Sequence, residues 1–462
     1  MLKRKEEEYK KVKEALKDKD VSEAGEMLFY LDQDFYENKP VDIETFLFSE
    51  NFLAPSLSVG GKHMMYDIWV ETLKKVYPSP FFSQFVEVLV DEPIGSGKTY
   101  CSSASICYEL YKLYCLKKPQ TYYELPPNTQ IVFSLFSVYR YLAEDVNWNT
   151  LESHLDSSPW FVKNMKPSRG SWMNTSDLTA KLGKGLSITM GYGAINVLGK
   201  AVFGGVLDEA NFSNSTRNSA KSAYNASLRR MESRFMKSSG VVPGKLWLCS
   251  SPNETNDFME ERKEKKKRVT YVVPKKPIWE IKKNVSIETV GSFPVFLGDD
   301  VQDPEILDED SDLSKYDEDC VIDVPKIYYD SFESDLIESI RDIVGKSITT
   351  NIDLIKSFAV LKGNAKLDNP FYKDVVYLDF YDEEDTIMRH CKTEYFDSLP
   401  KDYAFRFVHL DLGLTQDMAG ISSVYALPHQ EESGEDDVGG KSRKYFVDFA
   451  VGIKARKGQE IP

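Results

Sequence analysis

The chain has 462 residues, of which 42% are hydrophobic and 28% charged. This length predicts roughly two to four domains. The hydrophobic content is sufficient for more than one buried core, which excludes a wholly disordered chain. Lys and Arg total 58 against 73 Asp and Glu, a formal net charge of −15. A polyanionic partner must therefore be bound by a local basic surface, and a general nucleic-acid coat protein is excluded.

Cysteine spacing and the N-terminus indicate a soluble protein in a reducing compartment. The six cysteines form no C-x-x-C pair and no metal-like pattern, and a chain of this length does not need disulfides for stability. The charged N-terminus lacks the apolar core of a signal peptide, and no apolar run approaches the roughly 18 residues that span a bilayer. We expect a cytoplasmic protein without a membrane partner.

The first half of the chain has the pattern of an α/β domain. The N-terminal 20 residues predict a highly charged helix with a thin apolar stripe. From about Phe82, short β-branched or aromatic runs alternate with helix-length segments, which is typical of a parallel sheet covered by helices on both faces. The predicted strands cover residues 85–90, 130–136, 186–190, 202–207 and 246–249. The predicted helices include residues 99–116 and 216–237.

Two segments of different composition follow this α/β pattern. Residues 299–323 hold twelve acids and a single base, Lys315, and such a segment predicts a solvated loop or inserted linker. A cation site is the minority alternative, because the spacing fits no twelve-residue calcium loop. Residues 325–400 predict mixed helix and loop. Three strand-like runs at 405–412, 419–427 and 445–453 then predict an antiparallel meander that opens a second domain.

A strand, a glycine-bearing turn and a helix start follow one another over residues 88–100. This order aims backbone N–H groups and a helix N-terminus at phosphate. The residues assigned to nucleotide binding are Pro93, Ile94, Gly95, Ser96, Gly97, Lys98 and Thr99. Lys98 would reach the β- and γ-phosphates and act in catalysis, and the Thr99 hydroxyl would ligate Mg²⁺. The motif usually begins with Gly, where this chain has Glu92; a chance glycine turn is the structural alternative.

Two more strand ends carry polar side chains. An apolar strand ends in Asp208-Glu209, so that Asp208 could hold the Mg²⁺ shell and Glu209 could polarise the attacking water. A helix cap at Asp208 is the alternative. A later strand ends in Ser250 and Ser251, followed by Asn253, and small hydroxyl groups there could sense the γ-phosphate and couple its loss to motion. An ST-turn is the equal alternative.

In their order along the chain, these motifs resemble the large terminase subunit of tailed bacteriophages. Residues 93–99 are similar to the family's divergent Walker A motif, residues 206–210 to its Walker B motif, and residues 247–253 to its coupling motif. Residues 408–421 resemble the opening of its RNase H-like nuclease, in which Asp411 matches the first metal-binding acid.

The resemblance implies an α/β fold with a RecA-like P-loop ATPase domain on a parallel sheet, followed by the start of an RNase H-like nuclease. The implied segments are a helical lead-in at 1–50, the ATPase core at 51–275, an acidic insertion and linker at 276–402, and an incomplete nuclease at 403–462. ATP and Mg²⁺ are the implied cofactors, with Mg²⁺ or Mn²⁺ at the nuclease. The implied partners are viral double-stranded DNA, the capsid portal and the small terminase subunit. The resemblance further implies a homo-oligomeric ring when docked, with a monomer in solution as an alternative, in the host cytoplasm.

Two departures from the family pattern affect these expectations. The phosphate loop has no basic residue to act in cis, so an arginine could act in trans from the helix after Glu209; Arg234 is the chosen candidate and a salt-bridged helix surface is the alternative. The candidates on that helix are Arg217, Arg229, Arg230 and Arg234. Two-metal hydrolysis needs several converging carboxylates, and the candidates beside Asp411 are Asp417, Asp448 and Glu460. We therefore expect weak or absent nuclease activity.

Residues 260–268 form a basic run that could bind the DNA backbone without sequence choice, and a solvated helix end is the alternative. Two other functions stay open. A helicase-type nucleic-acid translocase would share the nucleotide chemistry but needs a second RecA-like lobe after residue 275. A non-catalytic assembly protein with a degenerate nucleotide site would explain Glu92 at the usual glycine position.

Overall fold

The computed structural model describes residues 21–137, 143–165, 172–174, 178–191, 199–212, 220–236, 242–253, 257–265, 269–298, 304–308, 311, 313–347, 387–390, 392, 394–395, 405–411, 419–426 and 445–453. They belong to two compact units, Met1–Ala359 and Val360–Pro462. The predicted helix over residues 1–20 lies outside the described residues. None of the helices in the described ranges is long and apolar enough to cross a bilayer.

The first unit contains fourteen α-helices and thirteen strands among its described residues. The helices are α1 Val21–Asp32, α2 Ile43–Phe48, α3 Ala54–Leu57, α4 Asp67–Val76, α5 Lys98–Tyr114, α6 Pro119–Tyr122, α7 Asn149–Ser157, α8 Pro159–Asn164, α9 Ala220–Phe235, α10 Phe258–Glu264, α11 Ile278–Lys282, α12 Ile287–Val290, α13 Tyr329–Ser334 and α14 Leu336–Ser339. The strands are β1 Ser58–Val59, β2 Lys62–His63, β3 Glu87–Asp91, β4 Ile131–Ser137, β5 Met173–Asn174, β6 Thr179–Lys181, β7 Leu186–Gly191, β8 Ala201–Asp208, β9 Leu246–Ser250, β10 Thr270–Val272, β11 Ser292–Phe296, β12 Glu305–Ile306 and β13 Val321–Pro325.

An eight-stranded sheet forms the centre of this unit, in the order β10-β3-β9-β8-β4-β7-β6-β5. The strands from β10 to β7 pair in parallel, and β6 and β5 extend the sheet with antiparallel pairs. The five predicted strands are confirmed as β3, β4, β7, β8 and β9, with boundaries within two residues. The predicted parallel α/β sheet is therefore confirmed.

Both faces of the sheet are buried, which explains the nearly continuous apolar runs in β3, β4, β8 and β9. Side chains alternate between two hydrophobic clusters: Val88 and Val90 face one cluster, whereas Leu89 faces the other. Helix α5 covers the first face and α9 the second. The predicted helices at 99–116 and 216–237 are confirmed as these two, although α9 is described only from Ala220.

The strand order determines where polar residues meet. Strand β9 lies between β3, which leads into the glycine turn, and β8, which ends at Asp208. The resemblance implied a RecA-like P-loop domain, and a mostly parallel sheet with β9 between β3 and β8 fits that fold. Because β3, β9 and β8 run parallel, the three polar segments that follow them emerge at one edge of the sheet.

A close approach inside the sheet requires glycine at position 205. A Cβ atom on Gly205 would lie 2.1 Å from the Ser134 carbonyl oxygen of the neighbouring strand β4. That distance is shorter than any tolerated contact, and the obstructing atom belongs to the backbone of a buried strand. Strand β8 can therefore pack between β4 and β9 only with glycine here.

A small antiparallel sheet, β12-β11-β13, follows the main domain and has its own core, which includes Phe293, Val295 and Val324. It corrects the prediction of a solvated loop over 299–323, because Glu305–Ile306 and residues 321–323 are strand. In this segment the apolar side chains of Ile306 and Ile322 pack against this core, while acids such as Asp323 are exposed. The segment is acidic in its average composition, so the sequence did not reveal its short strands, whose inner faces are apolar.

The second unit contains three described strands: β14 Phe405–Asp411, β15 Ala419–Ala426 and β16 Tyr445–Ile453. They form a sheet in chain order with antiparallel pairs, so the predicted meander is confirmed. Asp411 is the last residue of β14 and pairs with Gly420, which in turn pairs with Gly452. Asp448 lies four residues before Gly452 on β16, so the backbones of these two residues are roughly 13 Å apart. Asp417 and Glu460 lie outside the described residues.

Replacing Gly205 with Ala is expected to lower the free energy of unfolding by about 2–4 kcal/mol, because the new methyl group must displace the β4 backbone. The control is Gly61→Ala in the β1–β2 turn, where a Cβ atom would meet nothing within 4 Å. Its cost should be limited to about 1 kcal/mol for the left-handed backbone. Urea unfolding of both variants measures the difference, and equal losses would contradict the close approach.

Candidate phosphate-binding site

The turn between β3 and α5 has the backbone of a phosphate-binding loop. Gly95 and Gly97 have positive φ angles of 70° and 88°, which L side chains rarely adopt. The indole Nε1 of Trp69 donates a hydrogen bond of 2.6 Å to the Ser96 carbonyl oxygen. A Cβ atom on Gly97 would lie 3.2 Å from that nitrogen. Trp69 thus holds the turn, and α5 begins after a glycine whose lack of a side chain leaves its first N–H groups uncapped.

Lys98 is the first residue of α5, and only 8% of its surface is exposed. Its Nζ donates hydrogen bonds to the carbonyl oxygens of Glu92 at 2.8 Å and Pro93 at 3.0 Å, and to the Ser251 hydroxyl at 3.1 Å. The ammonium group is therefore held at the base of the loop. Phosphate oxygens are stronger acceptors for a buried cation than these neutral groups, so a triphosphate could replace them. Thr99, the next residue, is half-buried in the first turn of α5.

The predicted acid pair lies close to Lys98. Asp208 ends β8 and is buried, and Glu209 has a positive φ of 52°, an uncommon conformation for a residue with a side chain. Burial raises the pKa of Asp208, whereas the charge of Lys98 lowers it. Burial and the Asp208 carboxylate together raise the pKa of Glu209 to about 6, against the lowering effect of Lys98. The structure thus brings Lys98, Asp208 and Glu209 into one electrostatic group.

The predicted coupling residues bond directly to both motifs. Ser250 and Ser251 are buried at the end of β9. The Ser250 hydroxyl accepts a hydrogen bond from the Asn211 N–H at 3.2 Å, and the Asn211 side-chain amide donates to the Ser251 carbonyl oxygen at 3.1 Å. Asn211 Oδ1 also accepts from the Met259 N–H at 3.0 Å. Asn253 is half-buried beyond these contacts. Sequence reasoning gave Asn211 no role, because its partners are about 40 and 48 residues away.

Glu92 occupies the usual glycine position and is fully buried. Its Oε2 accepts a hydrogen bond from the Lys276 N–H at 3.3 Å, while Oε1 has no partner among the described residues. Burial raises the pKa of Glu92 to about 8, with Asp91 raising it further and Lys275 and Lys98 lowering it. The carboxyl group is therefore mainly uncharged at neutral pH. Sequence alone indicated only a departure from the motif.

Two bases of the run at 260–268 are engaged inside the protein. Arg262 forms two hydrogen bonds to the buried Glu87 carboxylate, at 3.0 and 2.9 Å. Lys263 binds the buried carboxylate of Asp91. Their burial corrects the hypothesis that the run as a whole binds DNA phosphates, because these two side chains neutralise acids of β3. Residues 266–268 lie outside the described part of the chain.

Arg234 is exposed in the last turn of α9. Helix α9 returns from the carboxyl end of β8 to the amino end of β9, and these strands are parallel. Arg234 consequently lies towards the sheet edge opposite Asp208 and does not reach the site of its own chain. Arg230 on the same helix donates to the Ala226 carbonyl oxygen at 3.0 Å.

A parallel sheet, a glycine turn opening a helix and an adjoining acid pair define a P-loop domain. The chain belongs to the family described as "Uncharacterized protein MJ0330, N-terminal P-loop domain", whose model matches residues 15–296. No curated protein matches the sequence significantly.

Similar solved structures include large terminases. One, from a thermophilic bacteriophage, is 11% identical over 84% of this chain and 68% of that chain, with a TM-score of 0.34. The same terminase in complex with ATP-gamma-S is 12% identical over 78% of this chain and 64% of that chain, with a TM-score of 0.34. A mutant ATPase domain of the Thermus phage P74-26 large terminase is 11% identical over 49% of this chain and 85% of that chain, with a TM-score of 0.32. TM-scores this low carry no argument about function.

Replacing Glu92 with Gln is expected to stabilise the protein at high pH. The folded-state pKa of about 8 lies above the ordinary value of 4.5, so the favourable contribution of the protonated group is complete below pH 4.5 and is lost as the pH rises towards 8. Gln keeps the shape but cannot ionise. At about 1.4 kcal/mol per pKa unit, the variant should gain about 4 kcal/mol over the wild type at pH 8 and progressively less at lower pH.

Urea unfolding at pH 5.5, 7 and 8.5 measures this difference. The control is Glu44→Gln, at an exposed acid that pairs with Lys74, and it should change the free energy of unfolding by less than about 0.5 kcal/mol. A Glu92→Gln difference that does not grow with pH would show that the buried carboxyl group is not protonated in the folded state.

Proposed function

We propose that this chain is the large subunit of a phage terminase, in which Mg²⁺-dependent ATP hydrolysis drives double-stranded DNA into a procapsid. The observation that carries the proposal is the position of Lys98, whose ammonium contacts the phosphate loop and Ser251 beside Asp208 and Glu209. A nucleotide-dependent motor needs such a contact, because the group that binds the terminal phosphates must also contact the element that moves.

The residues present fit a magnesium nucleotide. Gly95 and Gly97 provide the open loop backbone, and Lys98 provides the cation that would bind the β- and γ-phosphates. When bound, Mg²⁺ neutralises charge on the phosphate oxygens. Among the described residues no three His, Cys, Asp or Glu side chains form a metal cluster. Thr99 and Asp208 would therefore hold the ion together with phosphate oxygens and water, which is the coordination that Mg²⁺ prefers.

Glu209 would orient and polarise the attacking water. Its pKa of about 6 leaves it mainly ionised at neutral pH, as this role requires. When Lys98 turns towards phosphate, the Ser251 hydroxyl loses its donor. Asn211 would then pass the change from β9 to helix α10 through its bond to Met259. Ser250, Ser251 and Asn253 are in this way proposed to couple hydrolysis to motion.

The larger assembly belongs to the same proposal. The order of the four motifs supports a ring of identical chains on the capsid portal, with the small terminase subunit and DNA as further partners in the host cytoplasm. Arg234 is proposed to act in trans, consistent with its exposure and its distance from the site of its own chain. Asp411, at the end of β14, is proposed as a nuclease metal ligand for Mg²⁺ or Mn²⁺.

Observations bear differently on the two other functions. A helicase-type translocase needs a second parallel RecA-like sheet, and the described residues after Lys275 contain only antiparallel sheets. A non-catalytic assembly protein is favoured by one feature: Lys98 is already satisfied by three acceptors of the chain itself. Hydrolysis measurements distinguish this second candidate from the motor.

Replacing Lys98 with Ala or Glu209 with Gln is expected to reduce Mg²⁺-dependent phosphate release from ATP by about 100-fold or more. Lys98→Ala should also weaken ATP binding, whereas Glu209→Gln should retain it. Of these two residues, Lys98 is the one that would contact phosphate directly. The controls are Lys74→Ala and Glu44→Gln, which alter an exposed ion pair and should leave turnover within about twofold. Undiminished hydrolysis in both site variants would refute the assignment. ATP binding without hydrolysis by the wild type, even with DNA and portal, would favour the assembly protein.

The chain alone is expected to cut plasmid DNA weakly or not at all in Mn²⁺, because two-metal hydrolysis needs several converging carboxylates and the sequence offers only scattered candidates beside Asp411. Gel analysis of supercoiled plasmid, with Asp411→Ala and the exposed-acid control Asp308→Ala, measures this. Rapid cutting that Asp411→Ala abolishes and Asp308→Ala retains would show the expectation to be wrong.

A further inference from the structure

The segment that follows β10 runs along the phosphate loop and is fastened to its supports. Lys275 Nζ lies 2.9 Å from an Asp91 carboxylate oxygen, and the Lys276 N–H donates to Glu92 Oε2 at 3.3 Å. At the far end, Lys283 forms an ion pair with Asp67 at the start of α4. The first two contacts fasten the start of the segment to the strand that leads into the loop, whereas the Lys283 pair is exposed and contributes little to the position of the segment.

Lys282 is the last residue of α11 within this segment. The helix is oriented by the burial of Ile278, Trp279 and Ile281 in the cores. Lys282 is half-buried, and its Nζ lies 3.4 Å from the position that a Cβ atom on Gly95 would take. The ammonium group is therefore in van der Waals range of the loop backbone at a residue that has no side chain.

Two of the three neighbouring lysines are neutralised, but Lys282, like Lys276, has no ion pair within the described part of the chain. Lys275 binds Asp91, and Lys283 binds Asp67. An ammonium group without an acid partner can bind an anion at the loop without first breaking an ion pair. The loop sequence from Pro93 to Ser96 contains no basic residue of its own. Lys282 thus places a positive charge beside a loop that has no basic side chain between Pro93 and Ser96.

We propose that Lys282 is a phosphate-binding residue, supplied in cis by the segment after the core to the triphosphate of a nucleotide held on the loop. This inference rests on the proposed nucleotide site. Lys98 would bind the triphosphate from the base of the loop, and Lys282 from above Gly95. A cation on each side of the phosphates stabilises the charge that develops during transfer. Nucleotide would also draw α11 onto the loop, which makes the segment responsive to its presence.

The test compares Lys282→Gln with Lys283→Gln, which removes the same charge one residue away. Lys282→Gln is expected to lower kcat/KM for ATP by about 100-fold, whereas Lys283→Gln should stay within about threefold. Lys282→Arg should recover at least part of the loss, because it retains the charge. Thermal unfolding of all variants separates a lost phosphate contact from a misfolded helix. Equal kinetics of Lys282→Gln and Lys283→Gln would overturn the inference.

ATP and ADP titrations by calorimetry separate this inference from the proposed function. If the wild type and Lys282→Gln both hydrolyse ATP normally while Lys98→Ala does not, only the role of Lys282 is wrong. If the wild type binds ATP without hydrolysing it, the motor is wrong, and Lys282 is judged by affinity. In that case Lys282→Gln must weaken ATP binding about tenfold more than Lys283→Gln does, and equal dissociation constants contradict it. A wild type that binds neither nucleotide contradicts both proposals.

Discussion

The burial of one ammonium group constrains the whole edge of the sheet. Lys98 cannot be removed from water without acceptors, and it finds them in two loop carbonyl groups and the Ser251 hydroxyl. These acceptors require β3 and β9 to be neighbours and the loop to fold over the helix start. The positive charge in turn limits the pKa increases of Asp208 and Glu209 that burial causes. Loop, acids and serines therefore form one electrostatic unit.

A second set of buried charges stabilises strand β3, which leads into the phosphate loop. Glu87 and Asp91 lie four residues apart on β3 and are neutralised by Arg262 and Lys263 of α10. Breaking such pairs is costly, because it leaves an unpaired charge in a poorly solvated place. Helix α10 also receives the contact from Asn211 through Met259. The same helix thus stabilises β3 and contacts the residues that follow β8, so it connects the two motifs of the site.

The local sequence pattern was sufficient to predict the strands of the main sheet. It was insufficient to predict the small antiparallel sheet and the buried ion pairs. Long buried strands such as β4 and β8 have apolar runs that can be recognised in the sequence without knowledge of their neighbours. Strand β12 has only two residues and lies in a segment whose average composition is strongly acidic. Its existence depends on pairing with β11, and pairing partners are not visible in a single sequence. The burial of Arg262 likewise depends on Glu87, which is 175 residues away.

By itself, the amino-acid sequence determined the α/β class, the parallel core strands, the glycine turn with Lys98 and the acid pair at the end of β8. Each of these depends on contiguous residues, whose spacing follows from backbone geometry. Only the tertiary structure decided that Ser251 would bond to Lys98, that Glu92 would be buried and that Lys282 would lie over Gly95. These relations join residues that are far apart in the chain, and they arise because parallel strands place their carboxyl ends together.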